Sequence, residues 1–156
     1  MYVAIVGSAN ASDAVAALAE EVGALVAKSG ATLVCGGLTG VMEAACRGAK
    51  SEGGTTVGIL PGTRRSDAND YVDIALPTGL GEARNALVVR AADAVIAVAG
   101  EFGTLSEIGL ALKMATPVVG LGTWELLKGA ERVDAIRPAT TPAQAVALAL
   151  DLSGRA

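Results

Sequence analysis

Short apolar runs alternate along the chain with longer segments in which apolar residues recur every three or four positions. The first long segment has this helical stripe at Val15, Leu18 and Val22, begins at a Ser12 or Asp13 cap and stops at Gly30. Apolar runs covered on both faces are typical of parallel sheets. The predicted strands cover residues 2–6, 32–35, 55–60, 72–76, 94–98 and 117–121, with a seventh strand at an edge over 133–136.

The segments between these runs predict helices that connect parallel strands through right-handed crossovers. They cover about residues 13–29, 41–51, 82–92 and 104–114, with a short helical turn at 124–129 and a polar loop at 61–70. A last helix starts at Thr141-Pro142, a cap followed by proline at the first helical position. The pattern predicts one Rossmann-like α/β domain over residues 1–156, with three α/β/α layers and a mostly parallel sheet of about six to seven strands.

Composition narrows the partners that such a domain could have. Hydrophobic residues make up 52% of the chain, the formal net charge is −4, and no Lys or Arg run is present. Polynucleotide binding, which relies on clustered positive charge and stacking surfaces, is therefore not expected. No signal peptide is recognised, and Arg90 and Asp93 interrupt the longest apolar run, so we expect a cytoplasmic protein that does not enter the membrane.

The inventory of reactive side chains is small. The chain has no histidine and two cysteines, Cys35 and Cys46, which we interpret as buried small apolar residues. No metal site is predicted, because neither a CxxC pattern nor a histidine ligand is available. Any catalysis must therefore use carboxylates, arginine, hydroxyls or the backbone.

Two glycine-rich loops mark the edge of the sheet where a ligand is expected. They lie at residues 36–40 and 100–104, each after a predicted strand and before a predicted helix. Ligands of open parallel sheets bind at the carboxyl ends of the strands, and helix N-termini attract anions. The loops predict a phosphate site, although glycines that only permit tight turns are the alternative. Neither the dinucleotide fingerprint nor the Walker A pattern is present.

Arg84 and Glu107 are the charged residues best placed at this edge. Arg84 lies near the start of the predicted 82–92 helix and can meet a phosphate with its guanidinium fork, or it can form a surface ion pair with Glu82. Glu107 completes a capping box with Thr104, which would close the helix N-terminus. In the functional interpretation, the same carboxylate stays ionised beside the first turn and stabilises positive charge.

The loop sequences resemble the SLOG superfamily of Rossmann-like proteins, which includes the LOG phosphoribohydrolases, "lysine decarboxylase-like" proteins and molybdenum cofactor carriers. The resemblance covers roughly residues 2–124 and is most similar to the carrier branch. Three stretches carry it: Cys-Gly-Gly-Leu-Thr-Gly-Val-Met-Glu-Ala-Ala at 35–45, Gly-Glu-Ala-Arg-Asn at 81–85, and Ala-Gly-Glu-Phe-Gly-Thr-Leu-Ser-Glu at 99–107. Real decarboxylation is not expected, because no lysine lies at a strand's carboxyl end to form a Schiff base.

The resemblance implies two functions. The first is a carrier that binds a phosphorylated small molecule, a nucleotide or molybdenum cofactor, without breaking a bond. The second is a nucleoside 5′-monophosphate phosphoribohydrolase that needs no cofactor, with Arg84 and Glu107 as its catalytic residues. A homodimer or higher homo-oligomer is also implied. The predicted ligand-binding positions are Gly7, Ser8, Gly36, Gly37, Gly40, Val41, Met42, Asn85, Gly100, Gly103 and Thr104.

Four positions depart from the hydrolase pattern. Ala99 and Glu101 replace a proline and a glycine, Asn85 replaces a lysine, and Ser106 stands where a glutamate is common. Glu101 places negative charge inside a loop expected to bind an anion. Unless it points away, it should weaken phosphate binding or select a different ligand.

Overall fold

Seven parallel strands form one sheet in the computed structural model, which describes residues 1–154. A separate antiparallel hairpin follows the sixth strand. The strands are β1 (Tyr2–Gly7), β2 (Thr32–Cys35), β3 (Thr56–Leu60), β4 (Ile74–Pro77), β5 (Ala94–Val98), β6 (Val118–Leu121), the hairpin strands β7 (Leu126–Lys128) and β8 (Glu131–Val133), and β9 (Ile136–Ala139).

The helices cover both faces of the sheet. They are α1 (Asp13–Lys28), α2 (Val41–Ser51), α3 (Asn85–Arg90), α4 (Phe102–Lys113) and α5 (Pro142–Ser153). Side chains alternate along β1, so Val3 and Ile5 pack with α1, α2 and α5, whereas Ala4 and Val6 pack with α3 and α4. These three layers confirm the predicted Rossmann-like α/β fold.

The order of the strands determines where a crevice opens. The sheet runs β4-β3-β2-β1-β5-β6-β9, so the chain moves outward from β1 to β4 and then crosses back to β5 beside β1. Residues 3–7 of β1 pair in parallel with 94–98 of β5. The loops that follow these two strands diverge in opposite directions, which leaves room for a ligand between them.

Several predicted boundaries were wrong. Residues 124–129, predicted as a helical turn, include β7, and the predicted strand at 133–136 spans the end of β8 and the beginning of β9. The hairpin strands are three residues long and mostly exposed, so they lack the apolar pattern of the buried strands. The predicted 82–92 helix is a 3-10 turn at Gly81–Arg84 followed by α3. The Thr141 cap is confirmed, since its side chain accepts a hydrogen bond from the Gln144 N–H.

The cysteines are both free and buried, with their Sγ atoms 3.5 Å apart, which confirms their predicted placement in the interior. Among residues 1–154, no group of His, Cys, Asp or Glu side chains has the arrangement of a metal site. Over the same residues, no helix has both the length and the apolar character needed to cross a membrane.

Candidate functional site

A cleft of about 580 Å³ opens at the carboxyl edge of the sheet, between the loops that follow β1 and β5. This is the place that the strand order predicts for a ligand. Eight of the residues assigned to the site from sequence line it, and they come from four separate parts of the chain. They are Gly7, Ser8, Met42, Arg84, Asn85, Gly103, Thr104 and Glu107.

The N-terminus of α4 faces this cleft. Glu101 has an extended backbone and ends the loop, and its carbonyl accepts the Leu105 N–H at 3.0 Å. The N–H groups of Phe102, Gly103 and Thr104 have no partner within the helix, and no side chain caps this end. The first turn of α4 therefore offers backbone donors and the positive end of a helix dipole to an anion in the cleft.

The predicted capping box at 104–107 was wrong. Because α4 begins at Phe102, Thr104 is its third residue and is buried, and Glu107 lies in the second turn, away from the helix end. The Thr104 side chain packs under Gly100, where a Cβ would lie 2.5 Å from the Thr104 Cβ. Gly100 has a φ of +111° and allows the loop to fold over the helix start.

Arg84 and Glu107 form a buried ion pair in the wall of the cleft. Each residue is only 7% exposed, and Arg84 Nη1 lies 3.9 Å from Glu107 Oε1. Within the described part of the chain, the Arg84 Nε–H is buried without a hydrogen-bond acceptor. The alternative interpretation of Arg84 as a surface partner of Glu82 was wrong, because the guanidinium is buried and its ion pair within residues 1–154 is with Glu107. The loose contact leaves the positive charge only partly compensated.

Burial changes the ionisation of both partners. It raises the pKa of Glu107 from 4.5 to about 7, and the positive charge of Arg84 only partly opposes this rise. Burial also lowers the pKa of Arg84, against the favourable charge of Glu107. The expectation that Glu107 stays ionised was based on a position beside free N–H groups, whereas the carboxyl lies in the desolvated second turn of α4, where its pKa is raised. Near neutral pH, Glu107 can therefore take up or release a proton inside the cleft.

The first glycine loop has a different role in this geometry. Gly36 lies against the guanidinium of Arg84, where a Cβ would overlap Nη1 and lie 2.6 Å from Nη2. Gly37 donates its N–H to Cys35 Sγ at 3.3 Å. Gly36 therefore gives Arg84 the space it occupies, and the Gly37 N–H is already used within the chain.

The start of α2 is closed by the loop that follows β1. The Val41 N–H donates to the Ser8 carbonyl at 3.0 Å, and a Cβ on Gly40 would overlap the backbone of Ser8 and Ala9. Neither residue lines the cleft, and the same holds for Gly36, Gly37 and Gly100. Direct ligand contact by these five residues stays a prediction.

Sequence reasoning missed several residues that line the cleft. Ala9 and Asn10 follow Ser8 in a loop that was expected at the ligand edge, but neither was assigned a binding role. Phe102 was detectable, because it is the chain's one phenylalanine and lies within a glycine-rich loop. The lining residues that were not among the predicted catalytic or ligand-binding positions are Ala9, Asn10, Leu38, Glu82, Glu101, Phe102 and Ser106.

Comparison with known proteins gives consistent matches over nearly the whole chain. The model of the SLOG cluster4 family matches residues 1–146. An uncharacterized protein of Archaeoglobus fulgidus is 41% identical over 147 residues, which cover 94% of this chain and 92% of that protein.

Several solved structures share both fold and sequence with this chain, among them two proteins that bind or carry molybdenum cofactor. The molybdenum cofactor binding protein of the phototrophic bacterium Rippkaea orientalis is 36% identical, with a TM-score of 0.88 over 97% of this chain and 96% of that one. The molybdenum cofactor carrier protein of Chlamydomonas reinhardtii is 34% identical, with a TM-score of 0.87 over 99% and 98% of the two chains. DNA processing protein A of Helicobacter pylori is 20% identical, a likeness of fold alone.

Proposed function

The chain belongs to the SLOG cluster4 family, and from this premise we propose that it binds a phosphorylated pterin of the molybdenum cofactor class and carries it without breaking a bond. The similarity to one molybdenum cofactor binding protein and one molybdenum cofactor carrier protein supports this choice of ligand. The cleft volume of about 580 Å³ is within the roughly 300–1,000 Å³ of small-molecule sites.

One observation carries the proposal: the uncapped N-terminus of α4 and the partly compensated Arg84 line the same cleft. Backbone N–H groups and a guanidinium are the two protein groups best suited to a phosphate monoester. Arg84 has little freedom, because its side chain is buried and its head group lies between Gly36 and Glu107. The phosphate would therefore meet donors that are already in position.

Other lining residues have supporting roles in this proposal. The Ser8 hydroxyl oxygen accepts the Asn10 N–H at 3.1 Å, so its own proton is free to be donated to the ligand. Asn85 lies next to Arg84 and contributes an amide to the same wall. Protonation of Glu107 would remove one negative charge from a cleft that also contains Glu82 and Glu101. Anion binding should therefore strengthen as pH falls through 7.

The test is calorimetric titration of the purified protein with neopterin monophosphate, a pterin that carries a phosphate. We expect saturable binding, and we expect Arg84→Lys to weaken it by about 10- to 100-fold, because a lysine keeps the charge but loses the planar fork. Arg90→Lys is the matched control, since Arg90 ends α3 and is exposed. Equal affinity in the wild type and Arg84→Lys would contradict the proposed anchor.

Nucleoside 5′-monophosphate hydrolysis is the second candidate. The observation that favours it is the Arg84–Glu107 pair, which retains in one cleft the two catalytic residues that the resemblance implies. An ionised Glu107 could stabilise an oxocarbenium-like sugar while water cleaves the N-glycosidic bond. Incubation with a panel of nucleoside monophosphates should then release free base, and this release should disappear in Glu107→Gln. Binding without release would support the carrier.

A cytoplasmic location, a homo-oligomeric state and the lack of a polynucleotide partner remain part of the proposal. They follow from the composition and the family resemblance. Gel filtration with light scattering measures the oligomeric state, as the number of chains per particle. A mobility assay with single-stranded DNA measures polynucleotide binding, and a shift at moderate salt would contradict its expected absence.

A further inference from the structure

A second cleft of about 430 Å³ lies beside the first, and Glu101 lines both. Its floor joins the loops after β5 and β6: the Ala99 N–H donates to the Leu121 carbonyl at 3.0 Å, and the Ala99 carbonyl accepts the Thr123 hydroxyl. This floor is built by hydrogen bonds between two adjacent strand ends. The lining residues are Ala99, Gly100, Glu101, Gly122, Thr123 and Trp124.

The chain's one phenylalanine and one tryptophan meet between the two clefts. Their ring centroids are 5.7 Å apart with an interplanar angle of 38°. Phe102 lines the first cleft and is 76% exposed, whereas Trp124 lines the second and is half-buried. An exposed aromatic ring backed by a second one offers a flat apolar surface on which a planar ligand ring can stack.

The two clefts differ in the donors that they offer to an anion, although the first also contains Glu82, Glu101 and Glu107. The first contains Arg84 and the N-terminus of α4, whereas Glu101 is the charged residue of the second cleft. Within residues 1–154, the Glu101 carboxylate makes no hydrogen bond and no ion pair, and it does not cap its own helix. The second cleft is therefore suited to a neutral group that presents N–H donors rather than to a phosphate.

A 2-amino-4-oxopyrimidine edge has this chemistry. It presents a ring N–H and an exocyclic NH₂ side by side, and the two oxygens of one carboxylate can accept both in a bidentate pair. Pterins and guanine share this edge. Adenine offers one amino donor next to an unprotonated ring nitrogen, which a carboxylate repels.

We propose that Glu101 and Phe102 form a ring subsite that selects a 2-amino-4-oxopyrimidine ring on a ligand whose phosphate lies at the start of α4. This inference rests on the proposed function and adds to it the ring of the ligand that the protein recognises. It also explains the acidic residue in an anion-binding loop. Glu101 weakens phosphate binding, but its carboxylate accepts hydrogen bonds from the N–H groups of the ring.

The experiment measures dissociation constants of GMP, AMP and neopterin monophosphate for the wild type and for Glu101→Gln. We expect the wild type to bind GMP and neopterin monophosphate at least about 10-fold more tightly than AMP, since a bidentate pair discriminates by roughly that factor or more. In Glu101→Gln, which retains one acceptor oxygen, the ratio should fall below about threefold. The preferred ligand of the two tight binders shows whether a pterin or a guanine nucleotide is the source of the ring.

Two further variants separate selection from stacking. Phe102→Leu should weaken all three ligands by a similar factor of roughly 5- to 10-fold, because stacking depends little on which ring is bound. Glu82→Gln is the matched control, since Glu82 is an exposed carboxylate that lines only the first cleft, and it should leave the GMP-to-AMP ratio unchanged. All these side chains are exposed, so the variants should fold.

The results that would overturn the inference are separable from failure of the proposed function. An unchanged GMP-to-AMP ratio in Glu101→Gln would overturn the ring subsite, while weaker binding of every ligand in Arg84→Lys would still support the phosphate anchor. If neither inorganic phosphate nor any of the three ligands binds the wild type, both the ring subsite and the proposed function are overturned.

Discussion

The two glycine-rich loops occupy equivalent places in the chain, after a strand and before a helix, but they differ in what their backbone contacts. The first loop is closed by the chain itself: the Val41 N–H bonds to Ser8, and Gly40 packs against the backbone of Ser8 and Ala9. The second loop opens onto the cleft, with Gly103 in free space and no cap on α4.

This difference shows that glycine content does not by itself identify an anion site. In the first loop, glycine is required at position 40 because the backbone of Ser8 and Ala9 leaves no room for a Cβ. In the second, the helix N–H groups are not used by the chain and remain available to a ligand. The first loop therefore maintains the shape of the crevice, and the second provides its donors.

The largest expected effect compares alanine at Gly40 and at Gly103. Gly40 has a φ of +68° and no space for a Cβ, so Gly40→Ala should lower the free energy of unfolding by about 3 kcal/mol. Gly103→Ala meets no atom within 4 Å and should change it by less than about 0.5 kcal/mol. Urea denaturation measures both. Equal losses in the two variants would contradict the contrast between a closed and an open loop.

A smaller effect concerns the pH dependence of stability. The pKa of Glu107 rises from 4.5 to about 7 on folding, so between these values the folded state binds the proton more tightly than the unfolded chain does. The stabilising contribution is complete below pH 4.5 and is lost as pH rises through 7. Between these limits, the wild type should lose on the order of 2 kcal/mol more stability than Glu107→Gln. Parallel stability curves for the two proteins would rule out a perturbed Glu107.

The smallest expected effects compare one variant in each loop: the first-loop variant should lower stability and the second-loop variant should lower ligand affinity. Thr39 in the first loop donates its hydroxyl to the Ala9 carbonyl at 3.0 Å, so Thr39→Ala should cost about 0.5–1 kcal/mol of stability and leave neopterin monophosphate affinity unchanged. Phe102→Ala in the second loop removes an exposed ring and should cost less than about 0.5 kcal/mol while weakening the ligand. Urea denaturation of both variants measures the loss of stability, and titration with neopterin monophosphate measures the loss of affinity. The comparison fails if Thr39→Ala is the variant that weakens binding.

Much of the fold was predictable because its buried strands carry a continuous apolar pattern. β5 is buried at every position, and a short continuous apolar run of this kind is typical of a strand inside a parallel sheet. The resemblance to the SLOG superfamily was likewise confirmed, because the model of the SLOG cluster4 family matches residues 1–146. The hairpin β7–β8 was missed because its short exposed strands have no comparable pattern.

The site was predictable in its members but not in its details. Sequence reasoning assigned Arg84 and Glu107 to one edge, and the structure brings them within 3.9 Å. It did not predict that the pKa of Glu107 would rise to about 7, because this rise depends on how completely the packed helices exclude water. Nor did it predict which glycine loop would be closed, because that depends on the contact between the ends of β1 and α2.

The most direct test of the difference between the loops is a titration of ¹⁵N-labelled protein with neopterin monophosphate, followed by amide NMR. We expect the largest shifts at the N–H groups of Phe102, Gly103 and Thr104, which the first turn of α4 presents to the cleft. The amides of Gly37 and Val41 should change little, because each already donates within the chain. Largest shifts at Gly37 and Val41, with α4 unaffected, would contradict this expectation.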